Sequence, residues 1–182
     1  RVLCAFSVGG GADVDGGTEL AVSEDGGRAW RSAGVLLATT REPRTANCLR
    51  VSRDPEAGRL YAYGPRWYLR PGATFGEKPC EAVIMTSETE GESWSAPSLV
   101  PFPGECPLEI SDGAFVTRRG RLLAPAGLLP AKDRLGEAVI AAVSDDGGAT
   151  WPRTVEVFRD PKGRHGYFEH KFAELADRKS VV

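Results

Sequence analysis

SDDGGATW, Ser144 to Trp151, follows an apolar run, EAVIAAV, and precedes a second extended segment, TVEVF. Two related stretches stand upstream: SEDGGRAW, Ser23 to Trp30, after TELAV, and SETEGESW, Ser87 to Trp94, after EAVIMT. Their tryptophans are 64 and then 57 residues apart, so a unit of about 60 residues recurs with loops of varying length. Four strands of about five or six residues and their turns fill such a unit. An extended segment on each side puts every box on a hairpin turn. Further strand pairs precede the later boxes, in NCLRVSRDPEAGRLYAYG and ISDGAFVTRRGRLLAPAG, with EAG and RRG as their turns. Four antiparallel strands per repeat, set radially, make a propeller blade. The spacing predicts an all-β chain of about three four-stranded blades.

Composition agrees with this. Gly (22) and Pro (13) make up about a fifth of the 182 residues and fall between short segments rich in Val, Ile, Leu and aromatics. Alternation by two runs through RVLCAF, TELAVS, RLYAYG and EAVIMTS, while RGRLLAPAGLL and EAVIAAVS are apolar enough to be covered on both faces. The segment YFEHKFAELAD has a helical composition, but Phe168, Phe172 and Leu175 also fit a strand, a short turn and a return strand, the reading preferred here. The 23 basic and 25 acidic residues are interspersed, which argues against a nucleic-acid stripe or a polybasic membrane patch. Ala138 to Val143, the longest apolar run, is far short of the roughly 20 residues a membrane span needs. The chain opens on Arg1 without a leader pattern, which fits a processed protein or a fragment. Its compartment is unmarked, and a secreted or periplasmic setting fits. Cys4, Cys48, Cys80 and Cys106 lack zinc-site spacing and read as buried or free thiols, with a Cys80–Cys106 bridge as the alternative.

Within the box every residue type has a structural task. Asp146 and Asp25 can accept hydrogen bonds from backbone N–H groups two residues on, and Gly148 and Gly27 supply positive φ. The Ser and Thr hydroxyls satisfy other turn donors, and Trp30, Trp94 and Trp151 are expected to pack over the hairpins as buried plugs. The middle copy carries Thr89 in place of Asp, so its turn is expected to be looser. A Ca²⁺ loop would need a closing Glu that these boxes lack. No cofactor or metal is implied.

These boxes resemble the Asp-box, or bacterial neuraminidase repeat, of the sialidases, a family of six-bladed β-propellers. At about 60 residues per blade, six blades need about 360 residues, so residues 1–182 read as one partial propeller domain. The resemblance implies an exo-acting glycoside hydrolase that removes terminal sialic acid or a related sugar from a glycan. Asp-boxes also occur in non-catalytic propellers that bind glycans or proteins, which is the alternative reading. In the family, a catalytic Glu precedes a Glu-Leu-x-Asp-Gly pattern on an inner strand. Here YFEHKFAELADRKSVV aligns Glu169 with that residue and Glu174, Leu175 and Asp177 with the pattern, with Arg178 in place of the Gly. The family's Tyr nucleophile and arginines match nothing within residues 1–182.

That chemistry has a physical logic. A sialoside carries a carboxylate beside its anomeric carbon and would repel a carboxylate nucleophile, so a Tyr attacks with a Glu as its base. Glu169 would be the base, arginines would grip the substrate carboxylate, and an Asp would serve the leaving group. The resemblance puts that Asp on the loop before the first box, where Asp13 and Asp15 stand in GGGADVDGG, against the plainer reading of a solvated loop. A glycosidase using Glu169 and Asp15 as a carboxylate pair is a third reading. His165 and His170 are expected to be surface or hydrogen-bonded side chains. Tyr61, Tyr63, Trp67 and Tyr68 suit blade packing more than sugar stacking, Asp112 suits a turn or the propeller axis equally, and Arg118, Arg119 and Arg121 suit a hairpin turn.

Overall fold

In the computed structural model residues 1–9, 16–73, 76–104, 107–131, 134–175 and 180–181 are described. β-Branched and aromatic alternation produces strands at each place the sequence suggests, and no helix forms among the described residues. β1 (Val2–Ser7), β2 (Thr18–Ser23) and β3 (Arg31–Leu37) form a first antiparallel sheet. β4 (Thr45–Asn47) and β5 (Arg50–Arg53) both pair with β6 (Leu60–Tyr68), which pairs with β7 (Cys80–Ser87) and through it with β8 (Ser98–Val100). The third sheet repeats this plan. β9 (Leu108–Glu109) and β10 (Phe115–Val116) pair with β11 (Leu122–Leu128), followed by β12 (Ala138–Ser144) and β13 (Arg153–Arg159). A short pairing of β14 (Ala173–Glu174) with β15 (Ser180–Val181) ends the chain, so YFEHKFAELAD contributes a strand, not a helix.

The first strand of the second and third sheets is thus broken in two. Each break lies beside a proline in the next strand, Pro65 in β6 and Pro125 in β11. Proline has no N–H to offer a neighbouring strand, so an interrupted partner is where a sheet interior tolerates it. At the first break the chain crosses close over Gly64, where a Cβ would lie 2.2 Å from the Cys48 carbonyl oxygen.

Adjacent sheets pack face to face. Leu20 and Leu36 of the first sheet meet Leu49, Ala62, Val83 and Met85 of the second. Tyr63, Ile84 and Val100 of the second meet Leu122, Ala124, Ile140 and Ala142 of the third. Buried polar ties cross the joints: Thr18 Oγ1 donates to Asn47 Oδ1 (2.7 Å) and accepts from Leu49 N (2.9 Å), and Tyr63 Oη donates to the Pro125 carbonyl (2.9 Å). Burial of Tyr61 and Tyr63 is nearly complete, as blade packing requires.

All three boxes sit on the turn between the last two strands of a sheet, β2–β3, β7–β8 and β12–β13. The expected hydrogen bonds are redistributed within them. The Ser hydroxyl, not the Asp, takes the glycine amide, as in Gly148 N to Ser144 Oγ (2.8 Å) and Gly27 N to Ser23 Oγ (2.8 Å). The Asp reaches further, to Thr150 N from Asp146 (2.9 Å) and to Arg28 N and Ala29 N from Asp25 (3.0 and 2.9 Å). Thr89 reproduces this with its single hydroxyl, accepting from Ser93 N (2.9 Å), while its contact with Ser87 Oγ stretches to 3.4 Å against 2.7 Å for Ser144–Asp146. Gly27 and Gly148 have the expected positive φ, and Glu90 is forced to φ 53° where the other copies have Gly26 and Gly147.

The tryptophans depart from expectation at one copy. Trp94 packs on the core between the first two sheets and Trp151 on the core between the second and third, both partly buried. Trp30 is 46% exposed. Each box plug leans towards the preceding sheet, and among the described residues none precedes the first.

Candidate functional site

The connectivity sorts the loops by end. Box turns occupy one end of each sheet, so the β1–β2, β6–β7 and β11–β12 loops and the links from sheet to sheet gather at the other. Asp13 and Asp15 lie outside the described residues. Their flanks, Val8 and Gly17, are joined by a 2.9 Å backbone hydrogen bond at the end of the first sheet opposite its box. Glu169 stands on the link from β13 to β14, which leaves the third sheet at the corresponding end. Its side chain is exposed, and its backbone is left-handed with φ 52°, a conformation that among the described non-glycine residues only Glu90 shares. A strained conformation of this kind persists only where its surroundings impose it.

The neighbours of Glu169 alternate inward and outward. His170 is buried, and Lys171 reaches out to Asp112 Oδ1 (3.0 Å). Asp112 also accepts from Gly113 N (2.9 Å), so it holds the break between β9 and β10 and contacts the Glu169 segment at once. Glu174 accepts from Arg118 N (2.8 Å) and ties β14 to the turn that Arg118, Arg119 and Gly120 make before β11. Asp177 lies outside the described residues.

The two histidines differ from each other. His165 is exposed, with Nδ1 3.0 Å from Asp160 Oδ2, as expected. His170 is not at the surface: it is 8% exposed, with the Pro125 carbonyl near its ring and no partner at full hydrogen-bond geometry on either nitrogen. The surface alternative fails because His170 falls on the inward phase of a segment laid against β9 and β11.

Two polar clusters at this end include residues the sequence reading named singly, Tyr68 and His165, but their grouping was not foreseen. Glu81 Oε2 accepts from Arg66 Nε (3.0 Å) and Tyr68 Oη (2.8 Å). Burial opposes its charge, yet these donors hold the Glu81 carboxyl below the ordinary range, and the bond to Glu81 pushes the Tyr68 phenol up. The pairs Trp67–Cys80 and Arg66–Glu81 are in register across β6 and β7, a relation legible only once the strands are aligned. A cleft of about 350 Å³ lies beside the Glu169 segment, lined by Arg134, Glu137, Arg159, Asp160, Arg164 and His165. Its arginines face carboxylates: Arg134 Nη1 is 2.9 Å from Glu137 Oε2, and Arg159 contacts both Glu137 and Glu156. Among the described residues no group of three His, Cys, Asp or Glu side chains could hold a metal. Cys4 and Cys48 are free thiols, the Cys80 sulfur accepts from Leu108 N (3.1 Å), and Cys106 lies outside the described residues.

No family model and no curated protein matches the chain. Solved structures do. A Dyadobacter fermentans protein of unknown function superposes with a TM-score of 0.56 at 19% identity, over 98% of this chain and 51% of its own. A Hadza microbial sialidase gives a TM-score of 0.56 at 20% identity, over 74% of this chain and 30% of its own. The fold is a partial β-propeller. The chain spans about half the length of the first neighbour and under a third of the second, and at these identities the likeness speaks for the fold alone.

Proposed function

We propose that this propeller segment belongs to an exo-acting glycoside hydrolase of the sialidase type, with Glu169 as the base that activates a Tyr nucleophile. Asp15, or Asp13 beside it, would be the acid/base toward the leaving group. One observation carries the reading: Glu169 and the loop that contains both aspartates leave their sheets at the end opposite the boxes. The strained, solvent-facing Glu169 adds to it. The Tyr and the arginines that grip the substrate carboxylate would come from sequence outside residues 1–182, and the glycan is the only partner required. A non-catalytic propeller that binds glycans or proteins is the second reading.

The test uses the complete protein and a fluorogenic sialoside. Glu169→Gln keeps the shape and removes the proton acceptor, so turnover should fall by about 10²–10⁴-fold with little change in binding. Asp146→Ala should lower the melting temperature and leave the turnover of the folded fraction near wild type, because the box is remote from that end. Full activity in Glu169→Gln, or no cleavage of any glycoside by the intact protein, would favour the binding module.

A further inference from the structure

We propose that His170 is a positioning residue for Glu169 and that it acts through a buried contact with Glu109 that tightens on protonation. The inference rests on the reading of Glu169 as the working carboxylate. The segment from Tyr167 lies close against the third sheet: Tyr167 N donates to the Gly136 carbonyl (2.8 Å), and a Cβ on Gly136 would lie 2.6 Å from the Tyr167 backbone. Gly127 opens the same space, since a Cβ there would lie 3.4 Å from Glu109 Oε2 and 3.5 Å from the Tyr167 carbonyl. The chain then turns at Glu169, and the next side chain, His170, enters the sheet with its ring edge-on to Phe172 at 6.3 Å.

His170 Nδ1 stops 3.9 Å from Glu109 Oε2. Glu109 is 9% exposed, and its Oε2 and both His170 nitrogens lack partners at full hydrogen-bond geometry. Buried polar groups of this kind are ordinarily satisfied, and with only the Pro125 carbonyl near the ring the 3.9 Å gap between His170 and Glu109 marks a contact left open. A neutral imidazole has one N–H, whereas an imidazolium presents two. Closure by about 1 Å would give a charge-assisted hydrogen bond of ordinary length and draw Glu169, one residue away, with it.

The charged surroundings set the sign. Burial lowers the His170 pKa from its ordinary value, Glu109 of β9 and Asp112 of the neighbouring break oppose that, the Pro125 carbonyl helps them, and Lys171 adds to the lowering. From the second sheet the buried Tyr63 phenol acts on Glu109, and burial pushes its pKa well up, so it stays neutral, while the Cys80 sulfur accepts from Leu108 N beside Glu109. His170 is therefore neutral near pH 7 and gains its proton, taken from solvent, as the pH falls.

Two histidines make the experiment simple, because His165→Gln identifies the remaining ring signal in a nitrogen-resolved NMR titration. Glu109→Gln should lower the His170 midpoint by roughly one pH unit or more, the usual worth of a carboxylate at this range. The Glu169 amide should follow the same midpoint, and His165 should not move. In the active protein the acid limb of the kcat/KM profile should shift with His170. An unchanged His170 midpoint in Glu109→Gln, or a Glu169 amide that ignores it, overturns the proposal. Should Glu109→Gln fail to fold, the wild-type titration still decides: the amide and the ring either share a midpoint or they do not. Absence of glycoside turnover would sink the catalytic reading alone, since the two titrations need no substrate.

Discussion

Asp146 ties its turn to pH through three hydrogen bonds. Its carboxyl is held at about 2, first by the Thr150 hydroxyl, then by the Thr150 amide and Ser144, and Asp25 is lowered in the same way by Ala29 and Ser23. The folded pKa lies below the ordinary 3.8, so the unfolded chain binds protons first. This stabilisation is complete above about pH 4 and is lost as the pH falls towards 2. Melting curves across that window should decline, and Asp146→Asn should flatten the decline. Thr89 carries no charge, so the middle turn takes no part. Its weakness is Glu90. An L-residue in the left-handed region costs about 1–2 kcal/mol, whereas the extra freedom of an unfolded glycine costs about 0.4–1 kcal/mol. Glu90→Gly should therefore stabilise by about 0.5–1 kcal/mol in chemical denaturation. The turn roles of Asp, Gly and Ser could be read from the sequence because they are local. The reach of Asp146 to Thr150 was not, because the curl of the loop sets which amide comes within range.

The boxes close their own hairpins and also key neighbouring sheets together. A Cβ on Gly91 of the second box would lie 2.6 Å from Leu3 Cδ1 in β1, and one on Gly147 of the third would lie 2.6 Å from Arg59 Nη1, just before β6. Gly26 of the first box has nothing within 4 Å. This separates two costs experimentally. Gly27 and Gly91 occupy equivalent positions with φ of 95° and 86°, but Gly27 meets only Trp30, at 3.9 Å. Gly27→Ala should show the backbone cost alone, and Gly91→Ala should cost at least about 1 kcal/mol more, through the displaced Leu3. Equal losses in urea unfolding would mean that the second box does not hold the first sheet. Long strands such as β7 and β12 were legible because seven or eight residues carry a pattern. β9 and β10, two residues each, carry none, and they are the strands that place Glu109 and Asp112 beside the Glu169 segment. For the same reason Glu169 was singled out by resemblance alone, while His170 was read as a surface or hydrogen-bonded side chain.

At the scale of the molecule, the three sheets differ at one edge. β6 and β11 each carry broken first strands on the edge away from the boxed hairpin, and among the described residues β1, their counterpart, pairs with β2 alone. Val2 and Phe6 stand about two-fifths exposed along it (40% and 41%). An unpaired strand edge with apolar side chains is a template for another strand. Residues 1–182 expressed alone should self-associate in sedimentation experiments as concentration rises, and Phe6→Lys should reduce this without lowering the melting temperature.

Trp30 gives the first sheet an optical signal. An indole in water emits at longer wavelength and yields to a soluble quencher, whereas Trp94 and Trp151, leaning on the two cores, are shielded in part. Its Nε1 is already engaged by the Gly27 carbonyl (3.0 Å), so the ring is held in place over its turn with one face to solvent. Whatever comes to lie over the first sheet, whether a further blade or a second molecule, will dim the quenching and move the emission to the blue, so the chain reports its own completion without a label.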